Sequence, residues 1–506
     1  MAFQFVVPRE LGAEALAEAL ASSFALRAGP RQSTERIFYD TFDGRLHRAG
    51  MSLIYADGRF TLGNGSMSEI ARLDWPRAPD ELLAGTLPDS RLQQALQRLA
   101  DVRAVARLAH VRVRQQPLQV LDRRRKTVVR LTLEEPVLLG PGEAELVPRL
   151  VATGIRGYDK ALEEVRRLLA GELGLEATDV SLQDEAVTRS GHAPGGVSSD
   201  VAVVLRADEP APVAAARIGR RLLEVIRANL PGALAGRDSE FLHDLRVAVR
   251  RTRALQKGLR DSFPAESLAH SRSEFRWLQQ VTGGARDLDV YLLEFEALRS
   301  TLPERNRDGL DLLLGALRKR RSRERRRMRN ALRSPRAEAA LRGWEKLLAE
   351  ASNTPGADTA PPLSEVAGRR IKRVYVAMVK AGDKIDEATP PTALHELRKQ
   401  GKELRYLLEF FASLYPAEQV KPMVRALKAL QDSLGRFQDR QIQADLVRSL
   451  GEEVREQPDG VSALMTMGQL VERLDEQQAQ ARAEFAARFA DFASPQNRAL
   501  VRQVFK

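Results

Sequence analysis

The chain has 506 residues, of which 43% are hydrophobic and 29% charged, with no cysteine and a formal net charge of +12. This length predicts two or three domains, and this composition excludes an intrinsically disordered chain. The lack of cysteine excludes disulfides and thiolate metal sites, and it is compatible with a reducing compartment. The N-terminus lacks a signal-peptide pattern and no uninterrupted run of 18 apolar residues occurs, so we expect a cytoplasmic protein that does not cross a membrane. The positive charge favours a polyanionic partner.

Residues 1–187 carry a mixed pattern of strands and helices. Alternating apolar residues predict strands, and apolar residues at helical spacing predict two helices. The predicted strands are 3–7, 37–41, 51–55, 59–62, 111–120, 127–133 and 145–151, and the predicted helices are 10–24 and 157–173. Asp57-Gly58 is a strong hairpin turn between two of the strands. We therefore expect an α+β domain with a largely antiparallel, barrel-like sheet.

This region resembles the CYTH family, which has the triphosphate-tunnel fold. The resemblance depends on Tyr-Asp-Thr-Phe-Asp-Gly-Arg-Leu at 39–46, on Arg-Leu-Thr-Leu-Glu-Glu at 130–135, and on the domain order. Active members carry alternating acidic residues and a lysine on the first strand, where this chain has Phe-Gln-Phe-Val-Val at 3–7. Ile54 and Tyr55 replace basic residues of the family. Metal-assisted phosphoryl transfer needs those carboxylates and cations, so we expect a degenerate tunnel domain that is structural or regulatory, with no catalytic residue.

Residues 188–212 read as a linker, because Ser, Gly and Pro are frequent there and apolar residues are few. The remainder reads as helix, with a second polar break at 352–362 between halves 213–350 and 363–506. The predicted helices are 213–229, 239–260, 265–281, 288–298, 307–332, 335–349, 363–381, 392–414, 417–434, 441–450, 461–492 and 495–505. Two helical bundles in tandem are the expected architecture.

A sequence repeat with an offset of 152 residues organises the helical part. In both copies a histidine is followed by a base three, seven and ten residues later; the residues are His243, Arg246, Arg250, Arg253 and His395, Arg398, Lys402, Arg405. In a helix these positions fall within an arc of roughly 80°. The same offset maps Gly283 onto Gly435 and Asp287 onto Asp439. Neutralisation by neighbouring carboxylates would explain a single stripe, but two stripes in phase favour a linear polyanion, which Arg binds through bidentate hydrogen bonds.

Residues 213–506 resemble a CHAD domain, the helical family named for its histidines. The two stripes carry the resemblance, and the Arg286-Asp287 and Gln438-Asp439 turns fit it as well. The resemblance implies two pseudo-symmetric helical bundles, binding of inorganic polyphosphate in a basic groove between them, and association with polyphosphate granules. We therefore expect a non-catalytic protein that tethers itself, or whatever docks on its N-terminal domain, to polyphosphate.

The predicted binding set extends beyond the stripes. It comprises Arg217, Arg220, Arg221, His243, Arg246, Arg250, Arg253, Lys257, Arg318, Arg321, Arg325, Arg369, Lys372, Arg373, His395, Arg398, Lys402, Arg405 and Lys428. The bases at 318, 321 and 325 belong to a run, 318–329, in which nine of twelve residues are Lys or Arg, and we expect their shared face to extend the groove. The histidines are expected to donate hydrogen bonds to phosphate.

Other functions remain open from the sequence. Glu240-x-x-His243 has the spacing of di-iron bundles, but Thr392 stands at the equivalent of Glu240, so no metal site and no cofactor are expected. A triphosphatase or polyphosphatase would need metal ligands such as Glu134, Glu135, Glu143 and Glu145. A nucleic-acid binder would use the same charge, but stacking aromatic residues are scarce among the stripes, so such binding would be non-specific.

Overall fold

The computed structural model describes residues 2–11, 13–64, 69–201, 203–353 and 361–505. The chain forms two compact units, Met1–Ser198 and Ser199–Lys506. The first unit therefore extends into the predicted linker, and a helix occupies Leu182–Arg189 where that linker was expected to begin. Most of the predicted break at 352–362 lies outside the described residues.

The first unit is built on an antiparallel sheet. Its strands are β1 Ala2–Val6, β2 Ala25–Ala28, β3 Gln32–Thr41, β4 Met51–Ala56, β5 Arg59–Asn64, β6 Glu69–Asp74, β7 Glu81–Leu83, β8 Ala104–Leu121, β9 Thr127–Leu138, β10 Ala144–Glu145 and β11 Arg149–Gly154. Its helices are α1 Ala13–Ser23, α2 Arg45–Arg48, α3 Arg91–Ala100, α4 Asp159–Arg167 and α5 Leu182–Arg189. The strand order is β1-β11-β9-β8-β3-β4-β5-β6, with β10 paired to β9 and with β2 and β7 paired to β8. Among the described residues, no pairing joins β6 to β1.

These elements confirm the expected α+β class, while membership of the tunnel family stays a prediction. Asp57 and Gly58 both have positive φ, 50° and 74°, which suits the two-residue turn between β4 and β5. The predicted strand at 145–151 is wrong in its bounds, because β10 ends at Glu145 and β11 begins only at Arg149. Pro148 lies between them and has no N–H to donate to a strand ladder.

Helices cover both faces of the sheet. Leu16 and Leu20 of α1 and Leu162 and Val165 of α4 are buried in one core cluster with apolar residues of β1, β8, β9 and β11. On the other face, α5 buries Leu182, Ala186 and Val187 against β8. Polar contacts also fix α5, since Glu185 pairs with Arg149 and Asp184 lies 3.0 Å from Nε2 of His47.

The second unit is helical, as predicted. Its helices are α6 Ala211–Ala235, α7 Ser239–Gly258, α8 Ala265–Val281, α9 Gly283–Arg299, α10 Asp311–Leu332, α11 Pro335–Ser352, α12 Leu363–Gly382, α13 Pro391–Phe410, α14 Ala417–Ser449, α15 Gly451–Arg455, α16 Gly460–Ala483, α17 Phe485–Phe492 and α18 Pro495–Val504. No helix in the described part of the chain combines the length and apolar composition needed to span a bilayer.

Local chemistry explains where several of these helices begin. The Asp238 side chain accepts hydrogen bonds from the backbone N–H groups of Glu240 and Phe241 and so caps α7. Ser334 and Ser494 cap α11 and α18, each followed by a proline at the first helical position. These caps confirm the predicted starts of the closing helices.

The predicted interruption between residues 434 and 441 is wrong. α14 is continuous over 33 residues, whereas the first copy divides at the equivalent place into α8 and α9. The first copy has two consecutive glycines, Gly283 and Gly284, and each weakens a helix by about 1 kcal/mol. The second copy has Gly435 followed by Arg436, so only one such penalty applies.

The two sequence copies share one hydrophobic core. Leu288, Phe295 and Leu317 from α9 and α10 are buried together with Val447 of α14 and Leu470 of α16. The copies therefore pack as one compact unit. The expected pseudo-symmetry between two bundles stays a prediction.

Candidate functional site

Both basic stripes line a single cleft of about 730 Å³ in the helical unit. Eight of the predicted residues line it: His243, Arg246, Arg250, Arg253 and Lys257 of α7, and His395, Arg398 and Lys402 of α13. The apolar faces of the two helices explain why the stripes face the cleft. Burial of these faces turns the basic faces outwards; the buried residues are Leu242, Leu245 and Val249 of α7 and Leu397 and Leu404 of α13. The cleft defined by this lining is called the basic cleft.

One arginine in each stripe is anchored by the next helices of its own copy. Nη1 of Arg246 donates to the carbonyl oxygen of Gln279 and to Oγ1 of Thr282, both at 2.9 Å. Arg398 donates to Oε1 of Gln438 at 2.5 Å and lies 3.3 Å from Asp439. These contacts fix both guanidinium groups in the wall of the basic cleft.

Arg250 lies at the centre of the positive charge. Within the described residues its side chain makes no hydrogen bond or ion pair, and its Nε is buried without a partner. Burial is the largest cause of the lowered pKa values of the neighbouring cations, and the charge of Arg250 lowers them further; these cations are Arg246, Arg286, Arg398 and Lys402. An anion in the basic cleft would relieve this repulsion.

The pKa of Lys402 is lowered by burial and by the neighbouring positive charges. Burial, followed by repulsion from Arg398 and Arg250, lowers its pKa from 10.5 to about 7. Burial is also the largest cause of the lowered pKa of Arg246, about 10. Burial and the charge of Lys399 lower the pKa of His395 below 6.5, so this histidine is largely neutral at pH 7 unless an anion binds beside it.

Two acidic residues at repeat-equivalent positions face these cations. Partial loss of hydration inside the basic cleft raises the pKa values of Asp287 and Asp439, and the charge of Asp439 adds to the effect at Asp287. Arg246 and Arg398, respectively, oppose this rise. The net effect at both carboxyls is a pKa above the usual value of an aspartate.

The edge of the basic cleft is more nearly neutral. Lys257 lies 2.6 Å from Glu403, whose other carboxylate oxygen accepts from Arg370 at 2.7 Å. Arg253 donates to Gln279, and burial together with Arg276 and Arg272 lowers its pKa. Among the described residues, a carboxylate therefore compensates Lys257, whereas Arg253 contacts only a neutral amide.

The structure places the other predicted residues outside the lining. Arg405 pairs with Glu409 at 2.7 Å, and the buried Asp289 holds Arg321 at 2.6 Å and Arg325 at 4.0 Å. The remaining members that contact a partner are Arg217 with Glu209, Arg220 with Ser352, Arg221 with Glu224 and Arg369 with Glu365. Arg318, Arg373 and Lys428 are exposed away from the lining, and Lys372 borders a separate groove.

Several lining residues were not in the predicted set. Arg286, Lys399 and Glu403 border the basic cleft, as do Gln279 and Gln438. Arg286 could have been predicted from the sequence, because it precedes Asp287, one of the residues that the repeat preserves. It lies 3.7 Å from Glu240, so the glutamate considered as a metal ligand is in contact with an arginine instead.

The acidic residues considered as metal ligands do not meet in one place. Within the described ranges, no three His, Asp or Glu side chains form a group that could hold a metal ion. Glu134 accepts from Arg36 at 3.0 Å and from Gln115 at 2.8 Å. Glu143 contacts Arg112 and Glu145 contacts Arg9.

Comparisons with known proteins identify a domain family within the helical unit. Residues 217–448 match the family model of the CHAD domain. An uncharacterized protein of Mycobacterium tuberculosis, found in two strains, is 28% identical over 83% of this chain and 83% of its own length. The crystal structure of the CHAD domain from the plant Ricinus communis is 24% identical, with a TM-score of 0.50, and covers 57% of this chain and 95% of that one. This last likeness supports the fold of the helical unit.

Proposed function

Because residues 217–448 of this chain form a CHAD domain, we propose that the protein binds inorganic polyphosphate in the basic cleft, without turnover. The ligand would lie along α7 and α13, whose stripes each extend about 15 Å. Through this contact the protein would associate with polyphosphate granules in the cytoplasm and tether there whatever docks on its first unit.

The observation that carries this proposal is the unpaired Arg250 among other cations. Several other bases of the predicted set contact a carboxylate, as Arg405 does with Glu409 and Arg321 with Asp289. A partly buried cation that has no such partner and lies among other cations destabilises the free protein and favours an anionic ligand. Phosphoryl oxygens spaced along a chain would meet the guanidinium groups through charge-assisted hydrogen bonds.

A nucleic acid would satisfy the same charge less well. Its bases need stacking surfaces, and among the described residues of the lining Tyr406 is the one Phe, Tyr or Trp, and it is buried. Polyphosphate presents charge without bases. The basic cleft therefore favours the simpler polyanion.

A phosphohydrolase in the first unit is the alternative. It would require Glu134 to leave Arg36 and join other carboxylates around a metal. Release of phosphate from tripolyphosphate or polyphosphate with Mg²⁺ or Mn²⁺, above the rate without protein, would establish that activity and overturn the non-catalytic assignment.

The proposal is tested by reversing charge at the centre of the basic cleft. Arg250→Glu combined with Lys402→Glu should abolish binding of long-chain polyphosphate in a calorimetric titration, while circular dichroism shows unchanged helicity. The matched control is Arg326→Glu combined with Lys346→Glu, two exposed residues outside the lining that give the same change of net charge. Equal loss in both variants, or in neither, would mean that the basic cleft is not the binding site.

A further inference from the structure

A second groove lies between α12 and α18, outside the basic cleft. Its volume is about 430 Å³. Apolar side chains form its floor and long cationic side chains form its rim. The floor consists of Tyr375, Val376, Val379 and Val501, and the rim of Lys372, Lys380, Lys384, Arg498 and Arg502. This lining defines the α12–α18 groove.

The rim carries almost no compensating negative charge. Among the described residues that line the groove, Asp383 is the one carboxylate, and it lies 3.6 Å from Arg498. In the part of the chain that the structure describes, the side chains of Lys372, Lys380, Lys384 and Arg502 make no hydrogen bond or ion pair. These cations are exposed to solvent around the apolar floor.

The first sequence copy provides an internal comparison. At the offset of 152 residues, the positions equivalent to Lys372 and Val376 are Arg220 and Glu224. α11 and α18 both begin with Ser-Pro, at 334 and 494, and aligning these starts makes Glu338 the equivalent of Arg498. There the acids neutralise neighbouring bases, with Arg221 at 3.2 Å from Glu224 and Arg342 at 3.6 Å from Glu338. In the second copy a valine and an arginine replace the two glutamates. The fold therefore does not require the cationic rim or the apolar residue.

The apolar floor argues against polyphosphate as the ligand of this groove. Val376 exposes 54% of its surface, midway between Lys372 and Lys380 on one line of the helix. An inorganic phosphate chain has no apolar atoms with which to cover it. A peptide with apolar side chains on one face and carboxylates beside them would cover the valines and pair with the lysines.

We propose that the α12–α18 groove docks an acidic amphipathic helix of a partner protein. The line from Lys372 through Val376 to Lys380 extends about 12 Å, which corresponds to about two turns of a docked helix. Apolar residues of the partner cover the exposed Val376, and its carboxylates face the lysines. The cationic rim steers the acidic segment towards the groove and determines its orientation.

The probe for this site is a fluorescein-labelled peptide of about 14 residues, with leucines at the anchor spacing of a docked helix and glutamates elsewhere. Fluorescence anisotropy with the full-length chain should show binding at least about tenfold tighter than for a peptide of the same composition in shuffled order. Val376→Glu, which introduces the residue found at position 224, should weaken binding at least about tenfold, as should Lys372→Glu combined with Lys380→Glu.

Two controls separate this site from the rest of the surface. Arg342→Glu combined with Lys346→Glu on α11 makes the same charge change and should leave peptide affinity unaltered. Arg250→Glu, in the basic cleft, should also leave it unaltered. Equal binding of the shuffled peptide, insensitivity to Val376→Glu, or binding to anionic vesicles in place of the peptide would overturn the proposal.

Discussion

Replacing Arg250 by glutamine should strengthen the fold and weaken the ligand complex at the same time. Arg250 is partly buried, has no ion pair within the described residues, and faces other cations. An arginine retained for stability would show the opposite behaviour, because its loss would leave a carboxylate without its partner. A variant that raises the free energy of unfolding and lowers the affinity for polyphosphate therefore identifies a residue that is retained for binding.

The lowered pKa of Lys402 gives the magnitude. A change from 10.5 to about 7 corresponds to about 5 kcal/mol, at about 1.4 kcal/mol for each tenfold change in proton affinity. Burial is the largest cause, and the charges of Arg398 and Arg250 follow. We therefore expect Arg250→Gln to raise the free energy of unfolding by about 1 kcal/mol. Loss of one hydrogen bond between charged groups should weaken polyphosphate binding by about 1.5–3 kcal/mol, roughly ten- to 150-fold.

Guanidinium denaturation followed by circular dichroism measures the first effect, and calorimetric titration with polyphosphate measures the second. The matched control is Arg326→Gln, which removes an exposed guanidinium of α10 outside the lining. That variant should change neither quantity beyond about 0.5 kcal/mol. A fall in the stability of Arg250→Gln, or an unchanged affinity, would refute the reasoning.

Three further predictions follow from the contacts of the helical unit. Bound polyphosphate should return the pKa of Lys402 from about 7 towards its ordinary 10.5. Binding therefore takes up protons above pH 7, and the affinity falls as the pH rises from 7 to 10. Binding heats that do not depend on the ionisation enthalpy of the buffer would contradict this prediction. Asp289→Asn should lower the free energy of unfolding by about 3 kcal/mol in denaturant titration, because the buried carboxylate holds Arg321 at 2.6 Å, and unchanged stability would argue against that role. Gly382→Ala should destabilise by about 1–3 kcal/mol, because its Cβ would lie 2.0 Å from the Phe489 ring, whereas Gly343→Ala meets open space and should be neutral or stabilising; equal melting temperatures in the two variants would contradict this packing.

The sequence predicted the elements that depend on local patterns. α8 occupies the predicted range of 265–281, and α11 and α18 begin at the predicted residues 335 and 495. The repeat also predicted that the two stripes form one surface, because a constant offset preserves which helix face each residue occupies. Eight predicted residues accordingly line the basic cleft.

The membership of the site depends on contacts that a single helix does not reveal. The run at 318–329 was predicted to extend the groove with its cations. Arg321 and Arg325 instead form ion pairs with Asp289 on α9. This carboxylate is distant in sequence, so helix periodicity gives no sign of it. The α12–α18 groove likewise depends on two helices more than 100 residues apart in the sequence.

One difference between the stripes was readable from local spacing. Arg405 has Glu409 one turn later, pairs with it at 2.7 Å and lies outside the lining. The equivalent of Glu409 in the first copy is Lys257, so Arg253 has no acid at that spacing and stays in the basic cleft. Pairs at i and i+4 therefore distinguish bases that a helix neutralises from bases that it leaves to a ligand.

Competition between polyanions is the most direct measurement of the central claim. Labelled long-chain polyphosphate, bound to the full-length protein, is displaced by unlabelled polyphosphate, duplex DNA or single-stranded RNA at equal phosphate concentration and fixed salt, since salt alone shifts such affinities. We predict that polyphosphate displaces the label at least about tenfold more effectively than either nucleic acid. Equal or better displacement by DNA or RNA would contradict the assignment of the basic cleft to polyphosphate.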